Sequence, residues 1–267
     1  MPDAQYIHGT APEEQARLAT LNRITNASFL AFLGLKGSES VLEVGSGLGL
    51  LAAEVAEAIP RGTVVGVEYS AAQLARAPAG IANLTFRQGD AHQLEFEPGT
   101  FDVVYCRYLL EHVANPVQVL REARRVLKPG GRLYVQENDI SLVRNDPPTP
   151  AFDRVWEAFA ELQSRLGGDA LIGRRLFRLC REAGFLNDLS LSVAPEVYWH
   201  GHPVFAPWLE NLVGNIRSGQ AKLVEMGLST EAAIAVAIGE LQTTISDPWA
   251  STWFYWNRAS ATKECLE

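Results

Sequence analysis

The chain has 267 residues, 47% apolar and 20% charged, with a net charge of −8. That is the composition of a globular protein long enough to bury a sizeable core, and the acidic balance argues against a surface that grips phosphate backbones, so no nucleic-acid partner is expected. The three cysteines, Cys106, Cys180 and Cys265, are far apart and form no C-x-x-C pair, which argues against a disulfide framework and for a reducing compartment.

Residues 1–15 carry neither a basic region nor an apolar run, so no leader is expected and the location is read as cytoplasmic. Residues 13–32 place Ala16, Leu18, Leu21, Ile24 and Phe29 at helical spacing, and Gly34 and Gly37 stop the helix. Short apolar runs then alternate with helical patterns. "SVLEV" reads as a strand and 50–59 as a helix. "TVVGVE" is a strand and "SAAQLARA" a helix. "NLTFRQ" and "FDVVYC" are strands, 117–127 is a helix closed by "KPGG", and "RLYVQE" is a strand. This βαβ alternation predicts an open α/β sheet, mostly parallel and covered by helices on both faces.

Beyond Glu137 the texture changes. "NDISLVRNDPPTP" reads as a loop, 151–166 and 173–183 as helices, "GFLNDLSLSVAP" as loop and strand, 203–245 as mostly helical and "STWFYWNRASATK" as a last strand. The longest uncharged apolar run there, "AAIAVAIG", is too short to span a bilayer. Three segments are expected: 1–34, an N-terminal helical segment; 35–137, a Rossmann-like ligand-binding core; and 138–267, a helical insertion with the last two strands, forming a pocket.

The stretch "VLEVGSGLGLLA" joins the first strand to the second helix. In an open parallel sheet this is where a ligand binds, because glycines let the backbone approach closely and the following helix offers its first amides. A P-loop would need Lys-Ser or Lys-Thr after the glycines, and none follows. A dinucleotide site would need a third glycine at position 50, which is Leu50. The third glycine is Gly49, and Glu43 stands where such sites carry an apolar residue.

The pattern Glu43, Gly45, Gly47, Gly49, with Ser46 inside it, resembles the first motif of class I S-adenosylmethionine-dependent methyltransferases. Four further stretches, "VVGVEYS", "RQGDAHQL", "FDVVYCRYLLEHV" and "VLREARRVLKPGGRLYVQE", follow in that family's order. The likeness is tight over 35–137, closest to the ubiquinone- and menaquinone-biosynthesis-like small-molecule group. Two acids, Glu43 and Glu68, stand where many relatives have Asp. The resemblance implies a seven-stranded, mostly parallel doubly wound sheet with an antiparallel last strand, and S-adenosylmethionine as cofactor with S-adenosylhomocysteine as product. It implies that Glu43 anchors the amino-acid end of the cofactor and that Glu68 takes the ribose diol. Tyr69 would lie against adenine, Gln73 would face the ribose, Asp90 would bind the adenine amino group and the Ala91 amide would read the ring. Arg107, Tyr108 and His112 follow the fourth strand, beneath the methionine and methyl group. Tyr6 and His8 fall in a segment that folds over the cofactor in similar proteins.

Methyl transfer from a sulfonium is an in-line displacement that needs positioning and water exclusion more than a covalent nucleophile. A hydroxyl acceptor also needs a base, for which His112, His8, His200 and His202 are the candidates. His200 and His202 in "YWHGHP" lack an evident third ligand. Glu137, Asn138 and Asp139 raise the question of magnesium, but the fourth strand ends in Cys106 and Arg107 rather than an acid, so no metal is expected. All six tryptophans lie beyond residue 150, which fits a pocket for an apolar or aromatic acceptor. The expected function is O- or C-methylation of such a small molecule by a monomer or homodimer. The alternatives are a dinucleotide-dependent oxidoreductase, a binding protein with a degenerate site, and an enzyme using the same cofactor for another reaction.

Overall fold

Apolar segments become the parallel strands β1 (Ser40–Val44), β2 (Thr63–Glu68), β3 (Leu84–Gln88), β4 (Phe101–Arg107) and β5 (Leu127–Glu137), with β1 and β4 the most deeply buried. The computed structural model describes residues 12–265. β1 pairs with β2 on one side and β4 on the other, and β3 and β5 flank them. β8 (Ser251–Thr262) runs antiparallel to β5, and β7 (Ser190–Trp199) pairs antiparallel with β8. The expected open sheet with an antiparallel last strand is present, with one addition. Within the proline-rich stretch read as loop, β6 (Arg144–Asp146) pairs with the start of β8, Arg144 opposite Trp253. A three-residue strand is too short to leave a periodic signal.

Helices cover both faces. α1 (Pro12–Leu33) and α2 (Leu50–Ala58) enclose a core of Phe29, Leu33, Val41, Leu51, Val55 and Tyr105. α4 (Pro116–Val126) and α6 (Leu176–Glu182) close the other face over Leu42, Val104, Leu120, Leu176 and Phe185. Asn115 caps α4 by accepting from the Gln118 amide, and Pro116 occupies the first turn. The expected helix after β2 shrinks to one turn, α3 (Ala71–Leu74). Its continuation is tightened by Arg76 and Ala77 amides that reach back only three residues, and Pro78 and Gly80 prevent more.

The elements after β5 build a third core. α5 (Pro150–Arg165), α7 (Phe205–Glu225) and α8 (Glu231–Ser246) gather Phe152, Trp156, Phe159, Trp208, Leu212, Ile234 and Leu241 around Phe254 and Trp256 of β8. α1 bridges this lobe and the sheet. Asn26 donates to Glu54 of α2 at 2.7 Å, and Arg17 donates to Asn211 of α7 at 2.8 Å. Among the described residues no helix is long and apolar enough to cross a membrane.

Candidate active site

The loop from β1 into α2 is tied to the neighbouring strand: the Gly45 and Ser46 amides both donate to the Val67 carbonyl, at 2.8 and 2.9 Å. Gly45, Gly47 and Gly49 all have positive φ, +76°, +54° and +69°, a left-handed conformation that costs other residues free energy. Gly45 faces Leu109, whose Cδ1 would lie 2.9 Å from an added Cβ. The Gly47 amide donates to Glu68 Oε2 at 2.9 Å, and the Ser70 amide donates to Glu68 Oε1 at 2.8 Å. Two backbone amides thus aim one carboxylate at the mouth of β2, and its remaining lone pairs can meet a diol.

A cavity of about 470 Å³ opens beside this loop. Glu43, Gly45, Ser46, Gly47, Glu68, Tyr69, Gln73, Asp90, Ala91, Arg107 and His112 all line it. Gly49 does not. It begins α2 with a Cβ position only 2.4 Å from Phe86 Cζ, so its place is the close packing of helix on strand. His200 and His202 also lie off the cavity, at the turn between β7 and α7. There the His200 amide donates to the Ala250 carbonyl and His202 Nδ1 accepts from the Val204 amide. Their i, i+2 spacing said nothing about which way the turn faces. Tyr6 and His8 lie outside the described residues.

Asp90 Oδ1 accepts from both the amide and Nδ1 of His92 at 2.8 Å. Burial pushes its carboxyl up, but these hydrogen bonds outweigh it and hold Asp90 below its usual range. Glu43 is the opposite case. It is buried, and Oε2 has no hydrogen-bond partner among the described residues. Burial raises its carboxyl to about 8, against the opposing charge of Arg107. Arg107 is itself buried and donates to three neutral side chains of α1: Thr25 at 3.0 Å, Asn22 at 2.7 Å and Asn26 at 2.6 Å. Among the described residues no carboxylate approaches it at ion-pair distance.

The other half of the cavity is walled by Ile140, Val143, Trp156, Phe159, Trp208, Leu212, Phe254 and Trp256. The segment leaving β4 lies between the halves. Tyr108 has φ +56°, accepts from Gln136 Nε2 at 2.7 Å and rests 4.5 Å from the Trp256 ring. Leu109 packs on Gly45, as above. Glu111 accepts from Gln163 Nε2 of α5 at 3.0 Å and from Asn138 Nδ2 at 3.3 Å, and its Oε1 lies 3.8 Å from His112 Nε2. Behind it, Glu137 Oε1 accepts the Leu109 and Leu110 amides at 3.0 and 2.8 Å. Burial and the neighbouring Glu111 push the Glu137 carboxyl well up.

Sequence reasoning passed over Glu111, Gln163, Asn22 and the α7 residues Asn211 and Asn215, all on the cavity wall. A signal existed. Gln163 shares a helical face with Trp156 and Phe159, and Asn211 and Asn215 interrupt the apolar stripe of Trp208 and Leu212.

A family model described as a methyltransferase domain matches residues 42–135. An uncharacterised 37.1 kDa protein of a Streptomyces fradiae transposon is 30% identical over 254 residues, covering 92% of this chain and 68% of that protein. The ubiquinone/menaquinone biosynthesis C-methyltransferase of Bdellovibrio bacteriovorus is 31% identical over 44% of this chain and 52% of its own length. The ubiquinone biosynthesis O-methyltransferase of Pseudomonas paraeruginosa is 41% identical over 38% and 45%. The chain belongs to the class I S-adenosylmethionine-dependent methyltransferases. Within them it groups with the ubiquinone-biosynthesis-like enzymes, although it spans only about half the length of the two named relatives. A solved Bacillus halodurans chain titled a methyltransferase shares the fold. It has a TM-score of 0.59 at 24% identity, covering 90% of this chain and 99% of that one.

S-adenosylmethionine is the cofactor of this methyltransferase, and the residues present fit it. A carboxylate fixed by two amides stands at the end of β2 where it could take a ribose diol, an ionised Asp90 also lines the cavity, and a buried Glu43 oxygen has no hydrogen-bond partner among the described residues. Replacing Glu68 by Ala removes the anchor of the Gly47 amide and the carboxylate that would meet the ribose. S-adenosylhomocysteine should then bind more weakly by about 1.5–3 kcal/mol, the range for hydrogen bonds to a charged group. Titration calorimetry reads this directly, and unchanged affinity would remove Glu68 from the site.

Proposed function

We propose that this methyltransferase methylates an oxygen or carbon of a small, neutral, apolar or aromatic acceptor bound in the tryptophan-lined half of the cavity. The observation that carries this reading is the continuity of one cavity. A polar cradle at the β1 and β2 ends and an aromatic lobe from α5, α7 and β8 meet at the segment carrying Glu111 and His112. Neutrality is supported by the two arginines on the wall. Arg17 is paired with Glu14 at 2.7 Å, and Arg107 is occupied by α1.

The bound cofactor supplies an electrophilic methyl group. The chain positions the acceptor and keeps water out with its apolar wall. Where the acceptor is a hydroxyl, the His112 imidazole takes its proton, with the Glu111 carboxylate 3.8 Å from its Nε2. Of the described histidines only His92 and His112 line the cavity, and His112 is the one on the segment where the polar and aromatic halves meet.

Glu43 provides a check that does not depend on the acceptor. An unfolded chain ionises this carboxyl near 4.5, whereas the folded protein holds the proton until about 8. The stability that the neutral form contributes is therefore complete below the unfolded value and is lost as pH rises through the folded one. A cofactor ammonium placed beside Glu43 favours the ionised form. Binding at about pH 7 should then release protons and be more exothermic in Tris than in phosphate. Glu43→Gln should abolish the difference between buffers. Equal heats in the wild-type protein would detach Glu43 from the amino-acid end of the ligand.

The functional test is titration with S-adenosylmethionine, S-adenosylhomocysteine and NADH, then mass analysis of phenolic and enolic acceptors incubated with the cofactor. Binding of the adenosyl ligands and gain of a methyl group support the proposal. Tight NADH binding with no adenosyl heat restores the oxidoreductase alternative, and consumption of acceptor without methylation restores a different reaction at the same cofactor.

A further inference from the structure

The α7 face turned to the cavity repeats Trp208, Asn211, Leu212 and Asn215, the i, i+3, i+4, i+7 pattern of one helical stripe. Two amides in a stripe otherwise apolar need a reason, because an amide facing an apolar chamber is costly unless something bonds to it. The protein satisfies little of this polarity. Asn211 is 5% exposed and accepts from Arg17 Nη1 at 2.8 Å through Oδ1, while no described residue takes its Nδ2 donors. The Asn215 side chain has no partner among the described residues, and neither does the buried Trp208 Nε1.

The position of this stripe matters as much as its chemistry. Trp208 meets Trp256 at 6.1 Å between centroids, and Trp256 meets Tyr108 at 4.5 Å, on the segment that carries His112. Asn211 and Asn215 lie roughly 5 and 10 Å further along α7 by helix rise. Leu18 and Leu21 of α1 and Phe159 of α5 complete the surrounding wall. Arg17 lines the cavity beside Asn211 with its charge balanced by Glu14, whose Oε2 is 2.7 Å from Arg17 Nε. The corner therefore offers neutral donors, suited to a neutral hydrogen-bond acceptor rather than to an anion or a cation.

We propose that Asn211 and Asn215 form a specificity face for a second pole of the methyl acceptor, a carbonyl oxygen on a planar ring system remote from the atom that is methylated. The proposal rests on the reading of this half of the cavity as the acceptor site. A ligand lacking the carbonyl leaves the amides unpaired, and such sites discriminate more strongly than apolar pockets do.

Equilibrium dialysis against the S-adenosylhomocysteine complex tests the proposal without turnover. The probes are two matched pairs, 4-hydroxyacetophenone with 4-ethylphenol, and 6-acetyl-2-naphthol with 6-ethyl-2-naphthol. In the wild-type protein at least one carbonyl compound should bind about tenfold more tightly than its ethyl partner, the worth of one neutral hydrogen bond. Asn215→Leu, which breaks no side-chain hydrogen bond to a described residue, should erase most of that preference while moving the ethyl partner by no more than about threefold. Asn211→Leu should do the same, provided its thermal midpoint shows that the fold is retained. Absence of a preference in the wild type, a preference that survives both substitutions, or no binding of any of the four compounds overturns the proposal. Failure of the protein to bind S-adenosylhomocysteine would instead undo the functional reading beneath it.

Discussion

Replacing His112 by Ala slows methylation of a hydroxylated acceptor by about 10²–10⁴-fold, the usual worth of a positioned general base. Its ring lines the cavity on the segment between the glycine loop and α5, and Glu111 lies 3.8 Å from its Nε2. Glu111 cannot swing away, because Gln163 and Asn138 hold its oxygens and the Asp169 amide and Gln163 Nε2 both bond its carbonyl. Glu111→Gln keeps the shape and removes the charge, so it should lower kcat with little effect on KM, as expected for an interaction felt mainly in the transition state. S-adenosylhomocysteine affinity should change by less than about tenfold in either variant, since Glu68, Asp90 and the glycine loop are left intact. His200→Ala, off the cavity, is the control and should leave the rate within about twofold. If His112→Ala turned over at the wild-type rate with a phenolic acceptor, the proton would have to leave by another route.

Gly49→Ala should destabilise the fold by about 2–5 kcal/mol. The left-handed backbone contributes about 1–2 kcal/mol of that and overpacking about 1–3. The new methyl would sit 2.4 Å from Phe86 Cζ and 2.7 Å from Cε1. The ring has little room to yield, because its Cδ1 and Cε1 already close on Gly66, where an added Cβ would stand 2.6 and 2.7 Å away. Gly47→Ala makes the contrast. It carries the same left-handed backbone cost, but its Cβ would face only the end of Gln73 at 3.1 Å, on the cavity wall, so it should lower stability less than Gly49→Ala while weakening cofactor binding. Urea unfolding and calorimetry on the two variants separate the roles. Equal unfolding midpoints for Gly49→Ala and the wild type would show that the helix can shift to admit the methyl group.

The two halves of the molecule were unequally legible. From Ser40 to Glu137 most strands are short apolar runs bounded by turn signals, and many of the cavity-lining residues stand near the strand ends or a few positions beyond them. Local pattern and site position coincide there because an open parallel sheet presents its ligand at the strand ends. The likeness to the methyltransferase motifs singled out Glu43, Glu68 and Asp90, and all three stand on the cavity wall. Gly49 was singled out for the same reason and lies behind the wall, since spacing does not tell a glycine that meets ligand from one that admits a neighbouring ring.

Beyond Glu137 the site is assembled across long separations, and periodicity alone could not align its parts. Gln163 meets Glu111 across 52 positions and Arg17 meets Asn211 across 194. The histidine pair in "YWHGHP" looked more like chemistry than the two asparagines of α7, yet the turn holds the pair away from the cavity while α7 turns the asparagines toward it. The amino-acid sequence by itself determined the sheet and the glycine loop, because those depend on residues close together in the chain, and the likeness of its motifs to the methyltransferases pointed to the cofactor. Only the tertiary structure decided which histidine shares the cavity and which helix faces complete it, because those depend on how α1, α5, α7 and β8 pack against one another.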